Sequence, residues 1–270
     1  VMCCGFDSIP SDMGVYCLQE MAQQLHDQHC TEMTLLVRAM RGGASGGTFA
    51  SMLNAIEEAQ ADKSVARILS DPYGLNPEGE REGPDTRDQT GARFDEIAGL
   101  WTAPFVMAGI NTRVVRRSNA LSGYAYGKQF RYRESTITGT GLRGRFKASF
   151  GGLLLKLFII AAAIPFTRKH LVQRLLPKPG QGPSATERET GFFNMVLIGK
   201  LEDDSLMRLR ITGDRDPGYG STSKMLAECA LCLAHDDLEA GGGCLTPSVA
   251  MGNTLLGRLQ QNAGLTFVAE

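Results

Sequence analysis

Residues 32–59, EMTLLVRAMRGGASGGTFASMLNAIEEA, join a strand pattern to a helix pattern through a glycine-rich run. The apolar residues over 32–40 predict a strand. The spacing of Phe49, Met52, Leu53, Ile56 and Ala59 predicts one face of a helix. A strand followed by a glycine loop and a helix is typical of the α/β class.

The glycine run at 42–48 does not have the spacing of a dinucleotide-binding loop. That loop requires Gly-x-Gly-x-x-Gly and an acidic residue about 20 positions on, after another strand. Here the spacing is Gly-Gly-x-x-Gly-Gly, and helix continues to Asp62. Two interpretations stay open: a plain tight turn, or a helix start at Gly46 whose backbone amides hold a phosphate or carboxylate.

The pattern outside this stretch alternates strands and helices. The first four residues predict a strand, a helix follows from Pro10, and residues 71–95 predict a surface excursion without apolar period. Further strands are predicted at 128–138, 192–201, 205–213 and 265–269, and further helices at 104–121, 220–235 and 247–261. We therefore predict a mixed α/β or α+β fold.

Composition excludes several classes of protein. The 270 residues carry 28 basic and 29 acidic side chains, so no overall positive field attracts nucleic acid. Seven scattered cysteines, an odd number, do not form a disulfide framework and indicate an intracellular, reducing compartment. Cys229, Cys232 and His235 lack a fourth ligand, so we predict core packing there and no metal site.

Two glycine-flanked loops offer polar side chains. Residues 5–12, GFDSIPSD, join the predicted first strand to a helix, where Asp7 and Ser8 could face a ligand. The alternative is that Ser8 and its neighbours only cap the helix. Residues 216–222, DPGYGST, present Tyr219 either as a proton donor or as part of a structural turn.

The most apolar stretch, 150–166, is about 25 Å long as a helix, short of the roughly 30 Å hydrocarbon core. Basic residues flank it on both sides. We weigh two interpretations equally: a helix lying on a membrane surface, and a buried core or dimer-interface helix. In the membrane interpretation, the residues that contact the lipid are Leu154, Phe158, Ile159 and Ile160.

Six motifs share an order that is found in one family. They are residues 5–12, 42–51, 103–121, 178–183 with Arg188, 216–228 and 245–252. Together they resemble the saccharopine-dehydrogenase-like oxidoreductases, a family that includes the trans-acting enoyl reductases.

This resemblance implies a bilobal protein with an amino-terminal Rossmann domain that binds NAD(P). In this family the glycine-rich phosphate loop precedes the position that corresponds to Val1. We therefore expect this chain to lack that Rossmann segment. It would then be the carboxyl-terminal part of a Rossmann-type oxidoreductase. Residues 1–30 would end the dinucleotide-binding domain, 31–213 would form a mixed-sheet substrate or dimerisation lobe, and 214–270 would return to the first domain.

The resemblance also implies a function and site residues. We expect reduction of a lipid-like acyl substrate with NAD or NADP in the full-length protein, no cofactor bound by this chain alone, and a homodimer or larger assembly. Implied roles are catalytic for Tyr219 and Asp7, cofactor-binding for Gly5, Ser8 and Gly46, and substrate-binding for Asn111, Arg113 and Arg117. The alternative is a non-catalytic protein of this ancestry, either an assembly subunit or a protein on an organelle membrane or lipid droplet.

Overall fold

One seven-stranded mixed sheet organises the chain in a computed structural model that describes residues 1–43 and 45–270. The strand order is β2-β3-β4-β1-β5-β6-β7. Only β1 and β4 pair in parallel, and all other neighbours are antiparallel. The strands are β1 Cys30–Arg41, β2 Arg93–Asp95, β3 Leu100–Pro104, β4 Arg131–Gly139, β5 Phe192–Leu201, β6 Leu206–Gly213 and β7 Leu265–Ala269.

Ten helices connect or cover these strands in the described part of the chain. They are α1 Ile9–His26, α2 Gly46–Ala61, α3 Lys63–Ser70, α4 Ala108–Leu121, α5 Gly141–Ala163, α6 Pro165–Thr167, α7 Gln173–Leu175, α8 Ala185–Thr190, α9 Gly220–His235 and α10 Pro247–Asn262. A π-helical turn, Arg168–Val172, lies between α6 and α7.

The main core lies between the sheet and helices α1, α4, α9 and α10. Leu18 and Met13 of α1 and Leu197 of β5 are fully buried there. The Gln19 side chain, on α1, donates to the Cys30 carbonyl and accepts from the Cys30 amide, each at 2.9 Å. This pair of bonds fixes α1 against the first residue of β1.

Most of the elements that the sequence predicts are confirmed. The mixed α/β class is correct, and so are the antiparallel pair β5–β6, helices α9 and α10, and the final strand. Cys229 and Cys232 are buried in the main core, as the pattern predicts, whereas the core packing predicted for His235 is wrong, because its side chain is exposed at the end of α9. The strand predicted over the first four residues is wrong, because that segment pairs with no strand of the sheet; its Met2 amide donates to the Leu245 carbonyl, and Cys4 packs in the main core.

Residues 71–95 run over the surface, as predicted, and ion pairs anchor them to the protein. Asp85 and Asp88 turn toward α4, where they form ion pairs with Arg116 at 2.6 Å and Arg113 at 2.7 Å. The segment ends in β2, at the edge of the sheet. The sheet also runs without a break across the predicted boundary at 213, because β6 pairs with β7. The three predicted domains stay a prediction.

Candidate functional site

Four loops that the sequence singles out meet at one place. They are residues 5–8, 42–46, 177–183 and 216–222, and we refer to them as the loop cluster; Ala44 lies outside the described residues. The Phe6 amide donates to Thr222 Oγ1 at 3.0 Å, and Thr222 in turn donates to the Pro217 carbonyl at 2.7 Å. Segments more than 200 residues apart in sequence are therefore in direct contact.

Asp216 organises the turn that carries Tyr219. Its side chain is fully buried, and its carboxylate accepts from the Tyr219 amide at 3.0 Å and from the Gly220 amide at 2.8 Å. The Asp216 amide donates to the Arg188 carbonyl at 3.2 Å. These bonds hold the start of α9 and fix where the Tyr219 ring projects.

Glycines allow the loops to approach so closely. Gly42 has φ +145°, which side-chain-bearing residues rarely adopt, and a Cβ there would lie 2.6 Å from Asp216 Cβ. A Cβ on Gly46 would lie 1.9 Å from the Lys178 carbonyl oxygen. The glycine run thus acts as a packing surface for residues 177–183 and 216–218.

Gly46→Ala should lower the free energy of unfolding by about 2 kcal/mol, because the new methyl group overlaps a backbone carbonyl and forces a shift. Gly47→Ala is the matched control, since among the described residues its Cβ would meet Ser45 Oγ alone, at 3.6 Å, and alanine favours helix. Urea denaturation of both variants measures the difference. Equal stability of the two variants would contradict the close packing of α2 on residues 177–183.

Tyr219 borders an open groove of about 830 Å³ that also contacts Gln181, Pro183, Arg188 and Ser223. Its phenol is partly exposed and donates to the Gln181 carbonyl at 3.3 Å, a long and weak bond. An incoming acceptor could replace that carbonyl. The arrangement therefore offers a phenolic proton at the edge of a groove large enough for a small-molecule substrate.

Ser8, the polar residue that follows Asp7 in the loop 5–8, points inward. Ser8 is fully buried, and its hydroxyl lies 3.4 Å from Asn111 Oδ1. Asn111 donates to Glu134 Oε2 at 3.0 Å, and the Tyr132 hydroxyl donates to Glu134 Oε1 at 2.8 Å. Burial raises the pKa of Glu134 to about 7. A chain of hydrogen bonds thus leads from the loop cluster into the core.

Asp12 closes the same motif with a second buried network. It accepts from the Ser118 hydroxyl and, at 2.8 Å, from the Ser248 amide at the start of α10. Burial raises its pKa to about 6. The end of the GFDSIPSD motif therefore joins α1 to α4 and α10, whereas Asp7 is the exposed carboxylate of the motif.

The predicted substrate-binding residues are engaged in the protein itself. Asn111 is buried in the Glu134 network, and Arg113 donates to Asp88 and to the Gly109 carbonyl, each at 2.7 Å. Arg117 donates to the Cys244 carbonyl at 2.7 Å. The bonds to Asp88 and Cys244 hold two loops onto α4, and roles for the three residues in substrate binding stay predictions.

The start of α2 does not offer the free amides that bind the phosphates of a dinucleotide. Such a site requires free backbone amides at a helix start. The Gly46 amide donates to the Gln181 carbonyl at 2.9 Å, and the Thr48 amide donates to Ser45 Oγ at 3.0 Å. No cluster of metal-ligating side chains occurs within the residues that the structure describes.

Glu134 and Asp216 are the site residues that sequence patterns miss. Asp216 had a usable signal, because an aspartate followed by Pro-Gly commonly accepts from backbone amides in a turn. Glu134 had none, since it stands between Arg133 and Ser135 in an ordinary polar stretch of a strand. Its burial results from α4 covering β4.

Comparison with known proteins gives a consistent set of relatives. A Mycobacterium tuberculosis protein with the provisional name trans-acting enoyl reductase is 43% identical over 269 residues, which cover 96% of this chain and 64% of the relative. A trans-acting enoyl reductase of Mycobacterium ulcerans is 36% identical over 97% of the chain and 65% of the relative. One from Mycobacterium bovis is 34% identical over 96% of the chain and 64% of the relative.

The chain therefore spans just under two thirds of the length of the curated relatives it matches. No family profile matches it, and no solved structure matches it. Over nearly all of its length the chain is similar to proteins named trans-acting enoyl reductases, and this similarity supports an enoyl reductase-like family.

Proposed function

We propose that the full-length protein is an enoyl reductase-like oxidoreductase of the saccharopine-dehydrogenase-like type, which uses NAD(P)H to reduce an unsaturated lipid or acyl substrate. The observation that carries this proposal is the similarity to the relative with the provisional name trans-acting enoyl reductase, which is 43% identical over 96% of the chain. The start of α2 offers no free amides to dinucleotide phosphates, and the chain covers 64% of that relative, so the proposal assigns phosphate binding to a Rossmann-type segment of the full-length protein.

Within the proposal, the loop cluster serves the substrate. Reduction of a double bond conjugated to a carbonyl requires a proton at the α-carbon and a hydrogen-bond donor for the developing enolate oxygen. Tyr219 presents its phenol at the groove, with its backbone held by the buried Asp216. Tyr219 is therefore our choice of acid, and Asp7 is the exposed carboxylate on the neighbouring loop.

Tyr219→Phe in the full-length protein should lower turnover of an α,β-unsaturated acyl thioester about 100-fold, because general acid catalysis contributes at least that factor. The ring still packs on Gly182, so the melting temperature should change little. The decrease in NAD(P)H absorbance measures turnover, and a thermal melt measures folding.

Tyr124→Phe is the matched control, because this tyrosine is also half-buried but lies beside Lys128, away from the groove. It should keep full activity. Unchanged turnover in Tyr219→Phe would show that Tyr219 is not the catalytic acid. Absence of any reductase activity in the parent protein on α,β-unsaturated acyl thioesters of several chain lengths, with either nicotinamide cofactor, would contradict the proposed function itself.

A further inference from the structure

Helix α5 has small residues facing the protein and large apolar residues facing outward. Gly144, Ala148 and Gly152, spaced four apart, are buried, and the helix packs chiefly on β3. A Cβ on Gly152 would lie 3.3 Å from Gly91 Cα and 3.6 Å from Pro104 Cδ, so the helix backbone lies close to the segment before β2 and to the end of β3. A helix that only served the core would face the opposite way.

The outward face of α5 forms a continuous apolar stripe. Its exposed members follow helical spacing and include Leu142, Phe146, Phe150, Leu153, Leu157 and Ile160, each more than half exposed. Exposed Phe166, Leu171 and Leu175 extend the surface beyond the helix. Of the four residues that the sequence assigns to a membrane, Leu154, Ile159 and Ile160 are exposed, whereas Phe158 packs against the buried cluster of Leu53, Ala162 and Val172.

The charge around this stripe has one sign. Residues 141–176 contain seven Lys and Arg residues and no Asp or Glu. Arg143, Arg145, Lys147 and Lys156 are exposed on α5, and none of them pairs with a carboxylate among the described residues. Arg168 differs, because it is buried and pairs with Glu57 at 3.1 Å. We refer to the stripe and its flanking cations as the α5 face.

We propose that the α5 face docks onto the surface of a membrane that contains anionic lipids, with α5 parallel to the bilayer plane. The apolar stripe would enter the boundary between headgroups and acyl chains, and the flanking cations would contact lipid phosphates and carboxylates. This proposal does not depend on the enzymatic one.

Two alternatives for the α5 face, a membrane-spanning helix and an interface with a second copy of the chain, fit the observations less well. By length and hydropathy, 1.7 on average, α5 could cross a membrane. However, its small-residue side is fixed to β3, and a spanning α5 would carry the edge of the sheet into hydrocarbon, where open backbone groups are costly. A second copy of the chain would bring unpaired cations of like sign together on both flanks of the stripe.

Vesicle flotation of the full-length protein tests the charge component. The parent should float with vesicles of 70% phosphatidylcholine and 30% phosphatidylserine, and not with phosphatidylcholine alone. Lys147→Gln/Lys156→Gln should bind about 30-fold more weakly, roughly fivefold per cation, and parent binding should weaken with salt. The matched control Lys63→Gln/Arg81→Gln removes two exposed cations elsewhere and should bind like the parent. Equal loss in both variants would overturn the proposal.

A second pair of substitutions tests the apolar component. Leu153→Asp/Leu157→Asp should abolish flotation and leave the melting temperature nearly unchanged, because both side chains are about half exposed, 52% and 53%. Light scattering should give the same particle mass for this variant as for the parent.

A parent that fails to float, but whose oligomer dissociates on this substitution, would identify the face as a protein interface. A parent that resists extraction by alkaline carbonate would identify a membrane span. Either result overturns surface docking.

Discussion

Arg116→Met should lower the free energy of unfolding by about 4 kcal/mol, because it leaves a carboxylate buried without its partner. Arg116 Nε lies 2.6 Å from Asp85 Oδ2, and the two side chains are only 4% and 10% exposed. The guanidinium also donates to the carbonyls of Pro72 and Tyr132, each at 3.0 Å. Methionine keeps much of the side-chain volume but satisfies none of these acceptors.

Burial raises the pKa of Asp85 even with Arg116 beside it, so removal of the cation should raise that pKa further. Urea denaturation at neutral pH measures the loss of stability. Arg38→Met is the matched control, because Arg38 pairs with Glu270 in a more exposed setting, with side chains 37% and 29% exposed. Its cost should stay below about 1 kcal/mol. If the two variants unfold alike, residues 71–95 are not held on α4 by this ion pair.

This ion pair also shows what the sequence does not reveal about residues 71–95, namely that they are anchored on α4. A segment rich in Pro, Gly and charge, without apolar period, ordinarily indicates a solvated loop. Here its carboxylates find cations that α4 presents some 25 to 31 residues later. No local pattern encodes such a distant pairing. The strands β5, β6 and β7 are the opposite case, since their alternation and turn residues are local and predict them well.

The candidate site divides in the same way. The motifs that form the loop cluster are visible in the sequence because glycines and turn residues mark them. Their convergence is not visible, since contacts such as Phe6 with Thr222 join opposite ends of the chain. Ser8 and Asn111, both expected at a ligand, instead meet each other in the interior, because α1 and α4 pack side by side.

The buried carboxyl group at the end of that interior network makes the stability of the protein depend on pH. Burial raises the pKa of Glu134 from its ordinary value of 4.5 to about 7, although bonds from Tyr132 and Asn111 favour the charged form. Between these two values the folded chain holds a proton that the unfolded chain has released. The contribution of Glu134 to the free energy of unfolding is therefore fully present below pH 4.5 and falls as the pH rises toward 7. Above pH 7 it no longer changes.

Glu134→Gln should remove this dependence, because the amide has nearly the same shape and does not ionise. At pH 8 the variant should be more stable than the parent by about 3 kcal/mol, the free energy that corresponds to the shift in pKa. At pH 5 the difference should shrink to below about 1 kcal/mol, since Glu134 is then protonated in the folded parent and pH 5 lies only just above the ordinary pKa of 4.5. Glu78→Gln, an exposed glutamate, is the control and should follow the parent at both pH values. Asp12, whose pKa burial raises to about 6, changes the stability of parent and variant with pH in the same way, so its effect cancels in the comparison.

A Glu134→Gln variant that differs from the parent equally at pH 5 and pH 8 would show that Glu134 is ionised in the folded protein at both pH values, contrary to the buried, proton-holding group described above.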